Sequence, residues 1–270
     1  MSFAGQTAWI TGASSGIGEA LAREFAGRGA RAVLSGRDET RLRAVADRLA
    51  ADTLVLPFEV TDHAAMLAAT EQATGWHGVD IFVSNAGISQ RSAAVDTDIA
   101  VYRRIIDVDL TAQIAASQAL LPHMTGRGSG ALIFISSIAG KVGVPMRTAY
   151  CAAKFGLIGY ADALRAELSQ SGVSVHVVCP GSVATDVSRN ALTADGSARG
   201  KSDKAIDEGI PPAEAAAAIL DGVAAGEREI IVARGVEAAM GELRRTPAAL
   251  LDQMATMVAN GYMQKMQAED

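Results

Sequence analysis

Seven short apolar runs, each separated from the next by a stretch of about helix length, restrict this chain to a narrow set of architectures. The runs cover residues 7–11, 31–35, 53–56, 80–84, 131–136, 173–179 and 229–233. Most are nearly unbroken, Ala131-Leu132-Ile133-Phe134-Ile135 being the plainest. A strand wet on one face alternates apolar with polar residues, whereas a strand covered on both faces reads as a continuous apolar run. Residues 16–28, 39–51, 63–74, 98–124, 148–170 and 211–225 supply the intervening helical patterns. Repetition of strand, helix and strand predicts an α/β fold: a doubly wound parallel sheet with helices on both faces. No low-complexity segment divides it, so residues 1–235 read as a single domain that binds a dinucleotide and carries the catalytic groups. Within it, residues 190–209 are rich in Gly, Ser, Asp and Lys and predict a mobile loop, part of a substrate loop over 186–210. Residues 236–270 predict a helical tail whose Leu250, Met254, Met257 and Val258 pack on the body or on another subunit.

The bulk properties exclude several functions. The 270-residue chain has a formal net charge of −6, which argues against a nucleic-acid backbone as its partner. Cys151 and Cys179 form no CxxC pair, and His63, His77, His123 and His176 are scattered, so neither a disulfide framework nor a metal site is expected. No window reaches the roughly 18 apolar residues that cross a bilayer. The start, Met-Ser-Phe, leads into the first strand by Thr7 and predicts no cleavable leader. With only two thiols, these features predict a cytoplasmic protein with no membrane partner.

Three motifs carry chemistry. The first is Thr11-Gly12-Ala13-Ser14-Ser15-Gly16-Ile17-Gly18, placed between the first strand and the first helix. Glycines there let the backbone approach a pyrophosphate, and the helix start offers unpaired N–H groups to it. The second is Gly36-Arg37-Asp38 at the end of the second strand. An acid at such a strand end binds the adenosine ribose; here Gly36 vacates that place, and Arg37 suits a 2′-phosphate. Asp38 reads as the cap of the next helix. The third is Ser136-Ser137 at a strand end, with Tyr150 and Lys154 four residues apart, on one helix face about 6 Å apart along the axis. Tyrosine with a pKa near 10 is a poor base at neutral pH, and a neighbouring ammonium is expected to lower it.

Together these motifs resemble the short-chain dehydrogenase/reductase family over about residues 5–232, and the stretch from Ser136 to Tyr150 resembles the branch that includes 11β-hydroxysteroid dehydrogenases. The resemblance implies a Rossmann fold with a seven-stranded sheet, usually assembled as dimers or tetramers. It implies that Gly12, Ser14, Ser15, Gly16, Ile17 and Gly18 hold the cofactor phosphates, and that Asn85, Ala86 and Gly87 support the adenosine side. Pro180, Gly181, Val183 and Thr185 would hold the nicotinamide carboxamide, and Lys154 the nicotinamide ribose. Two positions depart from the family pattern. Glu59, followed by Val60, stands where an adenine-contacting Asp is common. Asp109 stands where the family has a catalytic Asn that helps to hold a kinked helix.

The expected function is therefore NADP(H)-dependent hydride transfer between a secondary alcohol and a ketone or aldehyde, with NAD as the alternative cofactor. Tyr150 is the expected acid/base, with Ser137, Lys154 and Asp109 completing the catalytic set. The reading from another class is a nucleotide-binding regulatory or scaffold protein whose turnover Asp109 has weakened.

Overall fold

The computed structural model describes residues 3–262 and 264–265. Met1 and Ser2, and the terminal acids Glu269 and Asp270, lie outside the described residues. Among the described residues, seven parallel strands form one sheet in the order β3-β2-β1-β4-β5-β6-β7. They are β1 (Thr7–Thr11), β2 (Arg31–Gly36), β3 (Thr53–Pro57), β4 (Ile81–Ser84), β5 (Gly130–Ile135), β6 (Val173–Pro180) and β7 (Glu229–Val232). This is the Rossmann architecture that the alternation of strand and helix requires.

The continuous apolar runs are explained by cover on both faces. Along β1, Ala8 and Ile10 enter one core and Trp9 the other, and all three are fully buried. One face is covered by α1 (Gly16–Gly27), α2 (Glu39–Ala46) and α8 (Pro212–Ala224), through Leu21, Phe25, Leu42, Val45, Ile219 and Leu220. The other is covered by α3 (His63–Trp76), α5 (Ala112–Arg127) and α6 (Thr148–Glu167), through Met66, Leu120, Leu157 and Leu164. Asp38 and Asp62 cap α2 and α3, each accepting a backbone N–H three residues on.

The expected helix over 98–124 is three pieces. α4 (Ile99–Ile106) passes into a π-helical turn, Asp107–Thr111, before α5 begins. The wider turn bulges the helix at Asp109, a site where π turns commonly serve function. The substrate loop is anchored: Leu192 N donates to Ser89 O at 2.7 Å, Arg91 N to Leu192 O at 2.8 Å, and a short helical turn, α7 (Lys204–Asp207), buries Ile206.

The tail forms α9 (Gly235–Leu243) and α10 (Ala248–Ala259), divided at Pro247. α9 lies on β7, and α10 on α6. Leu250 and Met257 remain partly exposed. No helix among the described residues is long and apolar enough to cross a membrane.

Candidate active site

Strand order reverses at β1, whose two neighbours are β2 and β4, and a parallel sheet opens a crevice at the carboxyl ends of such strands. A cleft of about 970 Å³ lies there. The sites anticipated from sequence meet in it: Gly12, Ser14, Ser15, Gly16, Ile17, Arg37, Glu59, Val60, Asn85, Ala86, Gly87, Asp109, Ser137, Tyr150, Lys154, Pro180, Gly181, Val183 and Thr185 all line it. Gly18 does not. It is buried, and a Cβ there would stand 2.2 Å from Gly12 O and 2.6 Å from Asn85 Nδ2. Its part is to let the helix start approach the strand ends.

The first turn is shaped for close approach. Gly12 has φ +66°, and a Cβ on it would meet Ala86 Cα at 2.9 Å. At the start of α1, the Ser15 side chain makes no capping bond. The helix N-terminus thus presents backbone donors to the cleft, as an anionic group demands. Asn85 Nδ2 donates to Thr11 O at 2.9 Å, and Thr11 Oγ1 accepts from the N–H groups of Asn85 and Ala86 at 3.0 and 3.1 Å. Gln113 holds the same segment from below, accepting from the Ser84 hydroxyl and donating to Ala86 O. The sequence motifs passed over both Thr11 and Gln113 as site residues. Thr11 could have been found as the strand-end hydroxyl of the first motif; a glutamine inside a helix gives no comparable signal.

At the adenosine end, Arg37 is two-thirds exposed and faces Glu59 at 3.6 Å. An exposed pair of this kind contributes little and leaves the guanidinium available. Arg41, not singled out from the sequence, lines the same end. Asp38 is occupied as the cap of α2, accepting from Arg41 N at 3.0 Å.

The reactive end is built around α6. Gln90 Oε1 accepts the Ala149 N–H at 2.8 Å and so ties the first turn of α6 to the segment after β4. Lys154 Nζ lies 5.6 Å from the centre of the Tyr150 ring. It donates to Ile135 O at 3.0 Å and pairs with Asp109 Oδ2 at 3.2 Å, with both side chains buried. Asp109 Oδ1 accepts the Ile88 N–H at 2.8 Å. A Cβ on Gly87 would come within 3.0 Å of Asp109 Oδ2, so the glycine lets the carboxylate lie against this segment. Ser137 Oγ accepts the Ala139 N–H at 3.1 Å and donates to Pro180 O at 3.3 Å.

The charges at this end do not follow the simple expectation that Lys154 brings Tyr150 below the ordinary phenol range. Burial pushes the Tyr150 phenol up; the Lys154 ammonium opposes this, the Asp109 carboxylate reinforces it, and the net direction is upward. Burial works to lower Lys154, but Asp109 outweighs it and holds the ammonium above its usual value. Burial also raises Asp109, against the attraction of Lys154 and the bond from Ile88. Burial favours a neutral pair and contact favours a charged one. The 3.2 Å approach, with a further bond on each partner, works toward the charged form.

Residues 6–196 match the family model for short chain dehydrogenase. The chain belongs to the short-chain dehydrogenase family. It is 37% identical over 234 residues to dehydrogenase/reductase SDR family member 7B of Danio rerio, covering 83% of this chain and 76% of the relative. It is 38% identical to dehydrogenase/reductase SDR family protein 7-like of Drosophila melanogaster, covering 84% and 72%. Its fold is similar to that of a short-chain dehydrogenase/reductase from Burkholderia phymatum in complex with NAD, at 21% identity and a TM-score of 0.80, over 92% of this chain and 98% of that one. The dehydrogenase is thus an oxidoreductase acting on CH–OH donors, with a fold that binds NAD(P).

Proposed function

We infer that this dehydrogenase interconverts a secondary alcohol and a ketone or aldehyde with NADP(H), using Tyr150 as acid/base. The observation that carries the reading is the convergence of Ser137, Tyr150 and Lys154 at the strand ends of a cleft whose far end is the glycine turn. The turn fits a dinucleotide, because no side chain caps the start of α1 and its backbone donors stay open to an anion in the cleft. Gly12, Ser14, Ser15, Gly16 and Ile17 would take the pyrophosphate, and Asn85, Ala86 and Gly87 would flank the adenosine. Pro180, Gly181, Val183 and Thr185 would hold the carboxamide. When bound, the nicotinamide supplies or accepts the hydride.

The chain's own residues handle the proton. Tyr150 donates it to the substrate oxygen during carbonyl reduction and takes it back during alcohol oxidation, and the Ser137 hydroxyl, turned away from Pro180 O, donates its hydrogen bond to the same oxygen. Lys154 has three N–H donors; Ile135 O engages one, and the 3.2 Å approach to Asp109 Oδ2 is an ion pair without hydrogen-bond geometry, so a donor is left for a ligand in the cleft. Its positive charge stabilises the phenolate, and Asp109 moderates that effect. NADP is favoured over NAD because Gly36 leaves no acid at the ribose, Arg37 is available, and Asp38 is engaged as a helix cap.

Tyr150→Phe tests the reading. Loss of positioned proton transfer lowers rate by about 10²–10⁴-fold. The variant is expected to retain NADPH binding in a fluorescence titration and to lose turnover over a panel of alcohols and ketones followed by nicotinamide absorbance. Retention of more than about a tenth of kcat, well above that range, removes Tyr150 from the role.

A further inference from the structure

The Tyr150 end of the cleft holds a concentration of positive charge that hydride transfer does not require. Asp203, on the substrate loop, is shared by three guanidiniums. Arg91 Nη2 donates to its Oδ2, Arg147 Nη2 lies 3.4 Å from the same oxygen, and Arg199 Nη1 lies 2.8 Å from Oδ1. All four side chains are at most a quarter exposed. One carboxylate against three guanidiniums leaves two positive charges in surplus where solvent is largely excluded. A staple for the loop needs only one guanidinium, since one planar fork matches both oxygens of one carboxylate. Three guanidiniums instead bring fifteen N–H donors to about four acceptor positions. The surplus is visible in Arg147, whose Nε is buried without a hydrogen-bond partner.

The placement is also specific. Arg91 lies between β4 and α4, its backbone N–H bound to Leu192 O. Arg147 lies at the entrance of α6, three residues before Tyr150. It follows Met146, which has φ +63°, an uncommon conformation for a side chain of that size, and whose carbonyl accepts from Ser92 N at 3.1 Å. Arg91 and Arg147 both line the cleft beside Tyr150. Two guanidiniums are therefore supplied by the body, while Asp203 and Arg199 ride on the loop.

We propose that the substrate carries an oxyanion, a carboxylate or a phosphate, which takes the place of Asp203 on Arg91 and Arg147 while its carbonyl meets Ser137 and Tyr150. This rests on the oxidoreductase reading above. The substrate is then an oxo acid or a phosphorylated ketone, or the corresponding hydroxy compound, rather than a neutral ketone.

The test compares matched substrates in steady-state kinetics with NADPH: 4-oxodecanoate against its methyl ester, and 2-oxodecyl phosphate against 2-oxodecyl methyl ether. The wild type is expected to prefer the anionic member of at least one pair by ~10-fold or more in kcat/KM, and the pair that responds distinguishes carboxylate from phosphate. Arg91→Gln is expected to raise KM for that anion by about 10–100-fold and to leave the neutral partner within about twofold. Asp203→Asn separates recognition from a structural role. Freed of its competing carboxylate, the site should bind the anion more tightly and lower its KM, whereas a mere staple, once cut, would raise KM for both members of a pair. Equal use of anionic and neutral members, unaffected by Arg91→Gln, overturns the proposal and leaves the oxidoreductase reading intact. If no compound turns over, calorimetry of 4-oxodecanoate and 2-oxodecyl phosphate with the wild type decides the matter. Binding that Arg91→Gln abolishes supports the anion site and places the failure in the proposed NADP(H) alcohol–ketone chemistry; no binding of either overturns the site.

Discussion

Replacing Asp109 by Asn removes one charge from the reactive end while nearly conserving size, so its effect is electrostatic. Asp109 Oδ2 lies 3.2 Å from Lys154 Nζ, which lies 5.6 Å from the Tyr150 ring centre; together these place the carboxylate within about 9 Å of the ring. At an effective dielectric of about 20, a unit charge at that distance disfavours the phenolate by about 1.8 kcal/mol, or roughly 1.4 pH units. The direction follows from the structure: the carboxylate raises the Tyr150 phenol, so its removal lowers it. In the alcohol-oxidising direction the phenolate is the base, and activity rises with pH as the phenol ionises. That rise is expected to move about 1.4 pH units lower in Asp109→Asn. In the reducing direction the protonated phenol is required, and the fall at high pH moves lower by the same amount. The assay is kcat against pH for both proteins in both directions. An unchanged midpoint, or a shift to higher pH, refutes the coupling. A wild type inert on every substrate beside an active Asp109→Asn would mean that the ion pair blocks the proton step, and the nucleotide-binding regulatory reading would replace the enzymatic one.

Two further outcomes concern the cofactor. Arg37→Ala is expected to weaken NADPH by about tenfold and leave NADH nearly unchanged, since a charge-assisted bond contributes about 1.5–3 kcal/mol; equal affinities for the two cofactors in the wild type, by fluorescence titration, would reject the preference. Glu237→Ala is expected to weaken both reduced cofactors several-fold, because Glu237 on α9 accepts from Ser182 N at 2.7 Å and Ser182 Oγ at 2.8 Å and so braces the turn after β6; unchanged dissociation constants would confine Glu237 to the tail.

The features legible in the sequence are those enforced locally. A strand buried on both faces must be apolar throughout, so central strands such as β1 and β4 announced themselves. Tyr150 and Lys154 share a helix face by spacing alone, and Gly12 can be read because few other residues permit its backbone or leave its space. Where the outcome depends on a distant partner, the reading stopped short. The helix expected over 98–124 opens into a π turn because Asp109 reaches both the Ile88 N–H and Lys154, and local propensity carries no record of either. The same distance hid Glu237, which finds Ser182 fifty-five positions back in the chain. It also hid the guanidiniums on Asp203, two of whose partners lie 112 and 56 positions away. Arginines at such separations read one by one as solvated surface residues. Their function is a property of convergence, and the elements that converge them are the same strand ends that the apolar runs specify. The scaffold is thus written in periodicity, while the groups that select a substrate on it are written in contacts between loops, where sequence spacing imposes no rule.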